Sequence, residues 1–311
     1  MTPALVPPSS RAVGVASAAG AYLLWGVLPL YFLLLVPTGP WEVVAWRVLL
    51  SFVFCLVLLT VLRGWPAFLA IVRDPRLLGW TALAGLLIYV NWQVFLIGTL
   101  TGHVVETSLG YFINPITTVL LGVFVLHERI RRLQWAAIGL AAVAVAVIVA
   151  VYGRFPWIAL SLTVSFGVYG LVKKRIGAAV DAVSGLTLES FWLIPIAVVQ
   201  LLLVASTPEG LTLGSHGAAH AVLLASAGVA TAVPLLLFAA GTRRIDLTVI
   251  GMIQFITPVM QFLIGVLVLK EPMPAERWVG FSLVWAAILV FVIDLLLAAR
   301  RGRRTAPTAT V

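Results

Sequence analysis

The segment from Gly102 to Pro115, GHVVETSLGYFINP, brings a histidine, a glutamate, an asparagine and a proline together in a strongly apolar chain. Asn114 directly precedes Pro115, and Tyr111 lies about one helical turn earlier on roughly the same face. Proline removes an amide donor and frees a carbonyl about one turn earlier, so a membrane helix kinks or breaks there beside polar groups. The segment therefore predicts polar side chains aimed at a cavity, with Pro115 as a hinge.

A second segment, QFITPVMQF, has the same arrangement around Pro258. Gln254 lies one turn before the proline, Thr257 directly precedes it, and Gln261 follows it by three residues, so these side chains share a helix face. Paired irregular helices in corresponding places indicate a transporter site. The alternative is that Pro115 and Pro258 only curve their helices for packing.

A third polar group interrupts the apolar stretch YVNWQVF at Asn91, Trp92 and Gln93. Tryptophan is usually enriched at membrane interfaces, but Trp92 lies nearer the middle of its helix. A tryptophan between two amides suits the binding of a flat or aromatic solute. Packing in the protein core is the alternative interpretation.

Charged residues occur inside or near predicted membrane helices at Arg47, Glu106 and Glu189. A charge at the centre of such a helix costs about 2.5–3.5 kcal/mol, so it needs a partner, a water-filled cavity or a function. Arg47 would give a cavity a fixed positive charge for a carboxylate or another electron-rich group, or it forms a structural ion pair or reaches the headgroups. Glu106 either caps its own helix or, with Glu189, couples transport to an ion, for which we expect H⁺.

The composition requires that these residues be positioned by membrane helices. Of 311 residues, 62% are hydrophobic and 10% are charged, with a mean hydropathy of +1.13. Continuous apolar runs of about 18 or more residues favour spanning helices over barrel strands, which alternate. Ten such runs lie near residues 13–36, 42–62, 77–100, 104–126, 133–151, 155–173, 183–206, 217–240, 247–269 and 275–297. We therefore predict an all-α integral membrane protein with ten transmembrane helices.

The basic residues indicate the orientation of these helices. The net charge is +9, and most of the Lys and Arg residues fall in the loops that are cytoplasmic if the N-terminus is inside. The positive-inside rule thus predicts that both termini are cytoplasmic. This distribution points to the lipid bilayer as the partner of the basic residues, and not to nucleic acid.

The chain contains an internal repeat. YFINPITTVLLGVFVLHE at 111–128 aligns with QFITPVMQFLIGVLVLKE at 254–271, with nine of eighteen positions identical. Nearby shifts align Gly85 with Gly228, and Arg47 with Glu189. We predict two five-helix repeats, at 1–152 and 153–311. Because five is odd, the second repeat is inverted, which is a recurring architecture of secondary transporters with a site near the midplane between the halves.

Several function classes lack support in the sequence. We find no phosphate-binding loop, no H-E-x-x-H zinc motif and no G-x-S-x-G nucleophile motif, so we expect neither an enzyme nor a cofactor. Two unequal repeats do not suggest a channel filter. The alternative to a transporter is a non-transporting membrane scaffold or sensor. The Ala-rich fifth helix is either peripheral or the contact face of a homodimer.

The chain resembles the RarD branch of the EamA-type drug/metabolite transporter superfamily from Val13 to Asp294. The resemblance rests on NW at 91–92, GH at 102–103, E.SLGYFINP at 106–115, RLQW at 132–135, PW.ALSL..SFG.YG at 156–170, GLTLE at 185–189, TA.PLLLF at 231–238 and QF..P..QF at 254–262. Thr257 departs from a strict repeat of Asn114.

This resemblance implies a bacterial inner-membrane permease of the exporter type, with a cavity among the third, fourth, eighth and ninth helices. The branch is associated by name with chloramphenicol, and relatives export amino acids and other metabolites. We therefore expect alternating-access transport of small amphipathic metabolites or drugs, such as chloramphenicol-like compounds or aromatic and neutral amino acids.

Overall fold

The structure is a computed structural model that describes residues 8–126, 131–152, 155–177, 179–242, 244–245 and 253–304. These residues form helices and no strands, which agrees with the all-α prediction. The helices are α1 Pro8–Leu33, α2 Pro40–Val61, α3 Trp65–Val72, α4 Pro75–Leu100, α5 Val104–Leu126, α6 Arg132–Tyr152, α7 Trp157–Ile176, α8 Ala182–Ala205, α9 Gly217–Ala225, α10 Ala227–Thr242, α11 Ile256–Leu263 and α12 Ala275–Arg304. A π-helical turn, Ile264–Val268, continues α11.

Six described segments are long and apolar enough to cross a membrane, namely Arg11–Leu33, Pro40–Val61, Pro75–Leu100, Ala182–Ala205, Gly217–Phe238 and Arg277–Asp294. Three shorter apolar segments are Arg132–Val147, Trp157–Lys173 and Ile256–Val268. The chain is therefore a multi-pass membrane protein by length and composition. The full count of ten spans stays a prediction.

Helix boundaries differ from the predicted runs at three places. The short helix α3 follows the second run and is too short to span a bilayer, so a search for long apolar runs misses it. The eighth run is two helices, α9 and α10, separated at Ser226. The ninth predicted run starts at residue 247, but residues 246–252 lie outside the described part of the chain and α11 begins at Ile256.

The two prolines predicted as hinges lie in different surroundings. α5 runs through Pro115 without interruption, so a break at that proline is excluded. Pro258 lies in the first turn of α11, directly after a turn that includes Gln254 and Phe255. Neighbouring helices can satisfy the carbonyl that a membrane proline leaves without its usual donor, which allows a helix to continue. The hinge role of both prolines stays a prediction.

The most extensive helix contacts in the described part of the chain all join the first half, α1–α6, to the second half, α7–α12. The pairs are α2 with α8, α6 with α12, α5 with α7, α1 with α11, α4 with α7, α1 with α10, α4 with α8, α2 with α10, and α5 with α11. Each helix of the first half has a counterpart in the second half: α1 and α7, α2 and α8, α4 and α10, α5 and α11, and α6 and α12. When every helix is exchanged with its counterpart, the same set of contacting pairs is obtained. That pattern is expected when a pseudo-two-fold axis relates two repeats. The predicted boundary between the repeats, 152/153, adjoins residues outside the described part of the chain.

Two carboxylates connect the halves at helix N-termini. Glu271 accepts hydrogen bonds from the first amides of α5, at 2.6 Å from Val104 N and 3.0 Å from Val105 N. Glu106 accepts from Ile158 N, in the first turn of α7, at 3.2 Å. A carboxylate there satisfies unpaired amides and complements the helix dipole. Glu106 therefore caps a helix of the other half, whereas the capping interpretation assigned it to its own helix.

A third carboxylate, Glu42, is fully buried at the start of α2 and joins it to the loop before α9. Its oxygens accept from Thr212 N at 2.9 and 3.1 Å, from Thr212 Oγ1 at 3.0 Å and from Leu213 N at 3.3 Å. Trp46 Nε1 donates to it as well, at 3.2 Å. Buried hydrogen bonds to a charged group contribute about 1.5–3 kcal/mol.

We expect Glu42→Gln to lower the melting temperature of the purified protein, because the amide removes the charge and turns a donor toward the amides of Thr212 and Leu213. The loss should be about 1.5–3 kcal/mol. Glu209→Gln is the control, since Glu209 is exposed in the same connection. Equal melting of the Glu42→Gln variant and the wild type would contradict this structural role.

Candidate solute-binding pocket

A pocket lies between the two halves, lined by α1, α2, α4, α5, α7, α10 and α11 together with the turn before α11. Eight of the nine residues predicted to bind solute line it: Arg47, Asn91, Trp92, Tyr111, Asn114, Gln254, Thr257 and Gln261. Pro258 lines it as well. The structure therefore brings together residues from four separate stretches of sequence. Their role in binding a solute stays a prediction.

Arg47 is buried at the pocket wall, with 3% of its surface exposed. Its Nε donates to Thr231 Oγ1 at 2.6 Å, which joins α2 to α10. The guanidinium carbon lies 4.2 Å from the ring centroid of Trp92 and 5.5 Å from that of Phe32. Cation–π contacts of this kind are worth about 2 kcal/mol or more when desolvated. Arg47 Nη1 has no hydrogen-bond partner.

Asn91 connects three helices beside the pocket. Its Nδ2 donates to Leu162 O and Ser165 Oγ, both at 3.1 Å, and its Oδ1 accepts from Tyr111 Oη at 3.0 Å. These contacts use both amide hydrogens and the carbonyl oxygen. Asn91 therefore fixes α4, α5 and α7 around the pocket and positions the Tyr111 ring.

α11 is bound to α1 through two polar side chains that line the pocket. Thr257 Oγ1 donates to Tyr22 O at 2.6 Å, and Gln261 Nε2 donates to Trp25 O at 3.2 Å. The amide nitrogen of Gln261 is used in this contact, whereas its buried Oε1 has no hydrogen-bond partner. Gln261 therefore presents an unused acceptor in addition to the unused donor of Arg47.

Gln93, the ninth predicted binding residue, does not line the pocket. Its Oε1 accepts from Gln200 Nε2 at 2.9 Å, so it joins α4 to α8. Successive helix residues are rotated by about 100°, so Asn91 and Trp92 reach the pocket while Gln93 points to the neighbouring helix. Pro115 is also absent from the lining.

The predicted ion-coupling residues, Glu106 and Glu189, lie outside the pocket lining as well. Glu189 is fully buried, at 2.7 Å from Lys173 Nζ, and also accepts from Tyr169 Oη at 3.1 Å. Glu106 binds the start of α7, as described above. A coupling role for either residue stays a prediction.

Four aromatic residues of the lining were not predicted: Tyr22, Trp25, Phe95 and Phe166. The sequence around an aromatic residue in an apolar helix does not indicate whether the residue lines a pocket, because such a side chain also packs favourably in the core or against lipid. The repeat offered one clue, since the alignment that pairs Trp25-Gly26 with Phe166-Gly167 places Trp25 and Phe166 in equivalent positions. Both face the same pocket.

The pocket has room for one small group in the described state. Its volume is about 90 Å³, below the roughly 150 Å³ of an engineered cavity that binds benzene. Side chains around it must move apart before a ring can enter. Among the described residues, no three His, Cys, Asp or Glu side chains form a group that could hold a metal ion. The polar chemistry of the pocket consists of hydrogen bonding, aromatic stacking and the charge of Arg47.

Comparison with known proteins agrees with the internal repeat and the helical fold. The EamA-like transporter family matches residues 12–150 and again residues 156–293. "Protein RarD" of Streptomyces exfoliatus is 43% identical over 95% of this chain and 93% of that protein. "Protein RarD" of Escherichia coli K12 is 38% identical over 93% of this chain and 96% of that protein.

A solved structure shows a similar fold at low sequence identity. It is described as "Crystal structure of protein", is 17% identical, and has a TM-score of 0.59 over 92% of this chain and 99% of that one. This likeness concerns the fold alone. The two family matches cover most of the chain, and the relatives match it nearly from end to end. The chain therefore belongs to the EamA-like transporter family, in its RarD branch.

Proposed function

We propose that this protein is a secondary transporter of the bacterial inner membrane that moves a small amphipathic solute by alternating access. The observation that carries the proposal is one pocket, lined by polar and aromatic side chains from both halves of a pseudo-symmetric bundle. Rocking of one half against the other would expose such a pocket to each side in turn. Both termini are cytoplasmic and transport is outward in this proposal.

The aromatic walls suit drugs similar to chloramphenicol, aromatic amino acids, and neutral amino acids of moderate size. Trp25, Trp92 and Phe166 offer flat apolar surfaces, and Asn114 and Gln254 offer amides for the polar part of a solute. The alternative is a membrane scaffold or sensor that carries no solute. Such a protein would bind a partner and show no flux.

Counterflow in proteoliposomes tests the proposal. Purified protein is reconstituted into vesicles preloaded in turn with chloramphenicol, phenylalanine or leucine, and uptake of the labelled compound is followed. We expect accumulation with at least one of them, and no accumulation in protein-free vesicles. If folded protein shows no counterflow with any compound of a broader metabolite panel, the scaffold alternative is favoured.

Replacement of Trp92 by alanine should reduce counterflow roughly tenfold, because the pocket loses both a stacking surface and the ring over Arg47. Trp135→Ala is the matched control, since Trp135 is 49% exposed and lies outside the pocket lining. Asn114→Ala should likewise weaken uptake. An equal loss of folded protein and of transport in the Trp92→Ala variant would favour the packing interpretation.

Coupling to H⁺ through Glu106 or Glu189 is the remaining part of this proposal. Both side chains can take up a proton. Glu106 lies between the two halves and Glu189 lies inside the bundle, and neither lines the pocket. Coupling would therefore act through movement of the helices that these residues join. We expect Glu106→Gln or Glu189→Gln to abolish uptake driven by a pH gradient while counterflow continues. If both variants retain pH-driven transport, these two residues do not couple it.

A further inference from the structure

Arg47 has an unused hydrogen-bond donor in the pocket wall. Nε is occupied by Thr231 and the guanidinium is covered by Trp92 and Phe32, yet Nη1 has no partner although the side chain is almost completely buried. A buried donor without a partner is costly, and a charged one more so. The site is thus built to receive an acceptor that the described residues do not supply.

The charge of Arg47 also lacks a counter-charge among the described residues. The two salt bridges formed there join Arg131 to Asp294 and Lys173 to Glu189, and none involves Arg47. No Asp or Glu is among the described residues that line the pocket. Burying a charge is unfavourable unless it is paired. A solute with one negative charge would neutralise the pocket, whereas a neutral solute would leave the cation unpaired.

The internal repeat allows the unpaired charge of Arg47 to be compared with the charge at the equivalent position of the second half. Glu189 occupies the position that corresponds to Arg47 in the second half, and there Lys173 and Tyr169 compensate the charge. A structural ion pair is therefore present at this position in the second half, whereas in the first half the described residues form none. Arg47 differs from Glu189 in that its side chain lines a pocket and retains a donor without a partner, so its partner is expected to come from the solute.

The remaining pocket groups describe the rest of the solute. Trp92, Trp25 and Phe166 favour a flat apolar body. Gln261 Oε1 can accept one hydrogen bond from that body. An amide oxygen does not carry the charge needed to compensate an ammonium group, so an amino acid zwitterion should bind less well than the corresponding acid without the amino group.

We propose that the pocket binds monovalent organic carboxylates with a flat apolar body, through a charge-assisted hydrogen bond from Arg47 Nη1 to the carboxylate. This inference rests on the proposed transport function, because it names the solute class for the same pocket. It places 3-phenylpropionate above phenylalanine, and phenylalanine above the neutral 3-phenylpropionamide, as ligands.

The experiment uses these three compounds, which share one aromatic body and differ in charge, together with indole-3-acetate and indole-3-acetamide as a second pair. Thermal stabilisation of the purified full-length protein measures binding, and counterflow in proteoliposomes measures transport. We expect each acid to bind roughly tenfold to a hundredfold more tightly than its amide, which is the contribution of a hydrogen bond to a charged group.

Two variants assign the preference to Arg47. Arg47→Gln should bind the acid and the amide about equally, while Arg47→Lys should retain a preference for the acid because it retains the charge. Arg47→Gln and the control Thr231→Val both lose the contact between Nε and Thr231. In the absence of solute, Arg47→Gln should have a melting temperature no lower than that of Thr231→Val, because only Arg47→Gln removes the unpaired buried charge. If the Arg47 variants do not fold, the comparison of acid with amide on the wild-type protein still decides the proposal.

The possible outcomes distinguish failure of the carboxylate assignment from failure of the proposed transport function. Counterflow of the amides or of phenylalanine at the level of the acids, or better, overturns the carboxylate assignment and leaves the transport function in place. Failure of both acids to stabilise or exchange through folded protein also overturns the assignment, and flux of the other compounds then decides whether the protein is a transporter. A preference for the acids that persists in Arg47→Gln overturns the role of Arg47.

Discussion

Replacing Lys173 with methionine should destabilise the protein by about 3–5 kcal/mol, although the lysine side chain is 30% exposed. Its Nζ lies 2.7 Å from Oε1 of Glu189, whose own side chain is 1% exposed. Without the lysine, the hydroxyl of Tyr169 would be the remaining donor to the buried carboxylate among the described residues. A buried charge that loses its partner is far more costly than an exposed one.

The measurement is the melting temperature of the purified variant, together with the fraction of monodisperse protein after extraction from membranes. Arg175→Met is the control, because Arg175 is exposed two residues further along the same helix. The double variant Lys173→Met with Glu189→Leu should recover most of the loss, since removing both members of a buried pair is often neutral.

A Lys173→Met variant as stable as the wild type would have a specific meaning. It would show that the buried position of the Glu189 carboxyl does not depend on the lysine for its stability. A carboxyl that does not rely on an ion pair is a better candidate for H⁺ coupling than one held in such a pair. The same experiment therefore bears on both the stability of the bundle and the coupling hypothesis.

The polar residues of the pocket could be predicted because membrane helices contain few of them and the repeat marks corresponding positions. Tyr111 and Asn114 in α5, and Thr257 and Gln261 in α11, lie at helical spacing around the aligned prolines, and the structure places them at one pocket. The sequence predicts Gln93 as a binding residue because it adjoins Asn91 and Trp92. Its contact with Gln200 on α8 depends on how the helices are rotated in the bundle, which one sequence does not reveal.

The aromatic walls and the helix boundaries were harder to predict. Hydropathy registers Trp25 and Phe95 as part of an apolar run and carries no information about which side of the helix they occupy. The same measure continues through Ser226, where the structure separates α9 from α10, because a single serine hardly alters a window of about 19 residues. Both features depend on contacts between helices that are distant in sequence.

Gly228→Ala should cause the second large loss of folded protein. A Cβ at Gly228 in α10 would lie 2.5 Å from the backbone carbon and 2.6 Å from the carbonyl oxygen of Leu50 in α2. Backbone atoms of a packed helix cannot rotate away, so α2 and α10 must separate. Overpacking of this kind costs about 1–3 kcal/mol, more than the gain of about 1 kcal/mol that alanine brings to a helix interior.

Gly170→Ala provides the control, because a Cβ at that position in α7 would meet no atom within 4 Å. This variant should melt at or slightly above the wild-type temperature, while Gly228→Ala should melt lower. Similar melting of the two glycine variants would contradict the close approach of α10 to α2.

The aligned glycine of the other half extends the same prediction to function. A Cβ at Gly85 in α4 would lie 2.9 Å from the carbonyl oxygen of Glu189 in α8, so Gly85→Ala should also destabilise the protein. Leu50 lies one turn beyond Arg47 in α2, which means that Gly228→Ala displaces the helix that carries the pocket cation. In the fraction of Gly228→Ala that folds, we therefore expect weaker counterflow, whereas Gly170→Ala should transport normally. Normal flux through the folded Gly228→Ala protein would show that the position of α2 relative to α10 does not control the pocket.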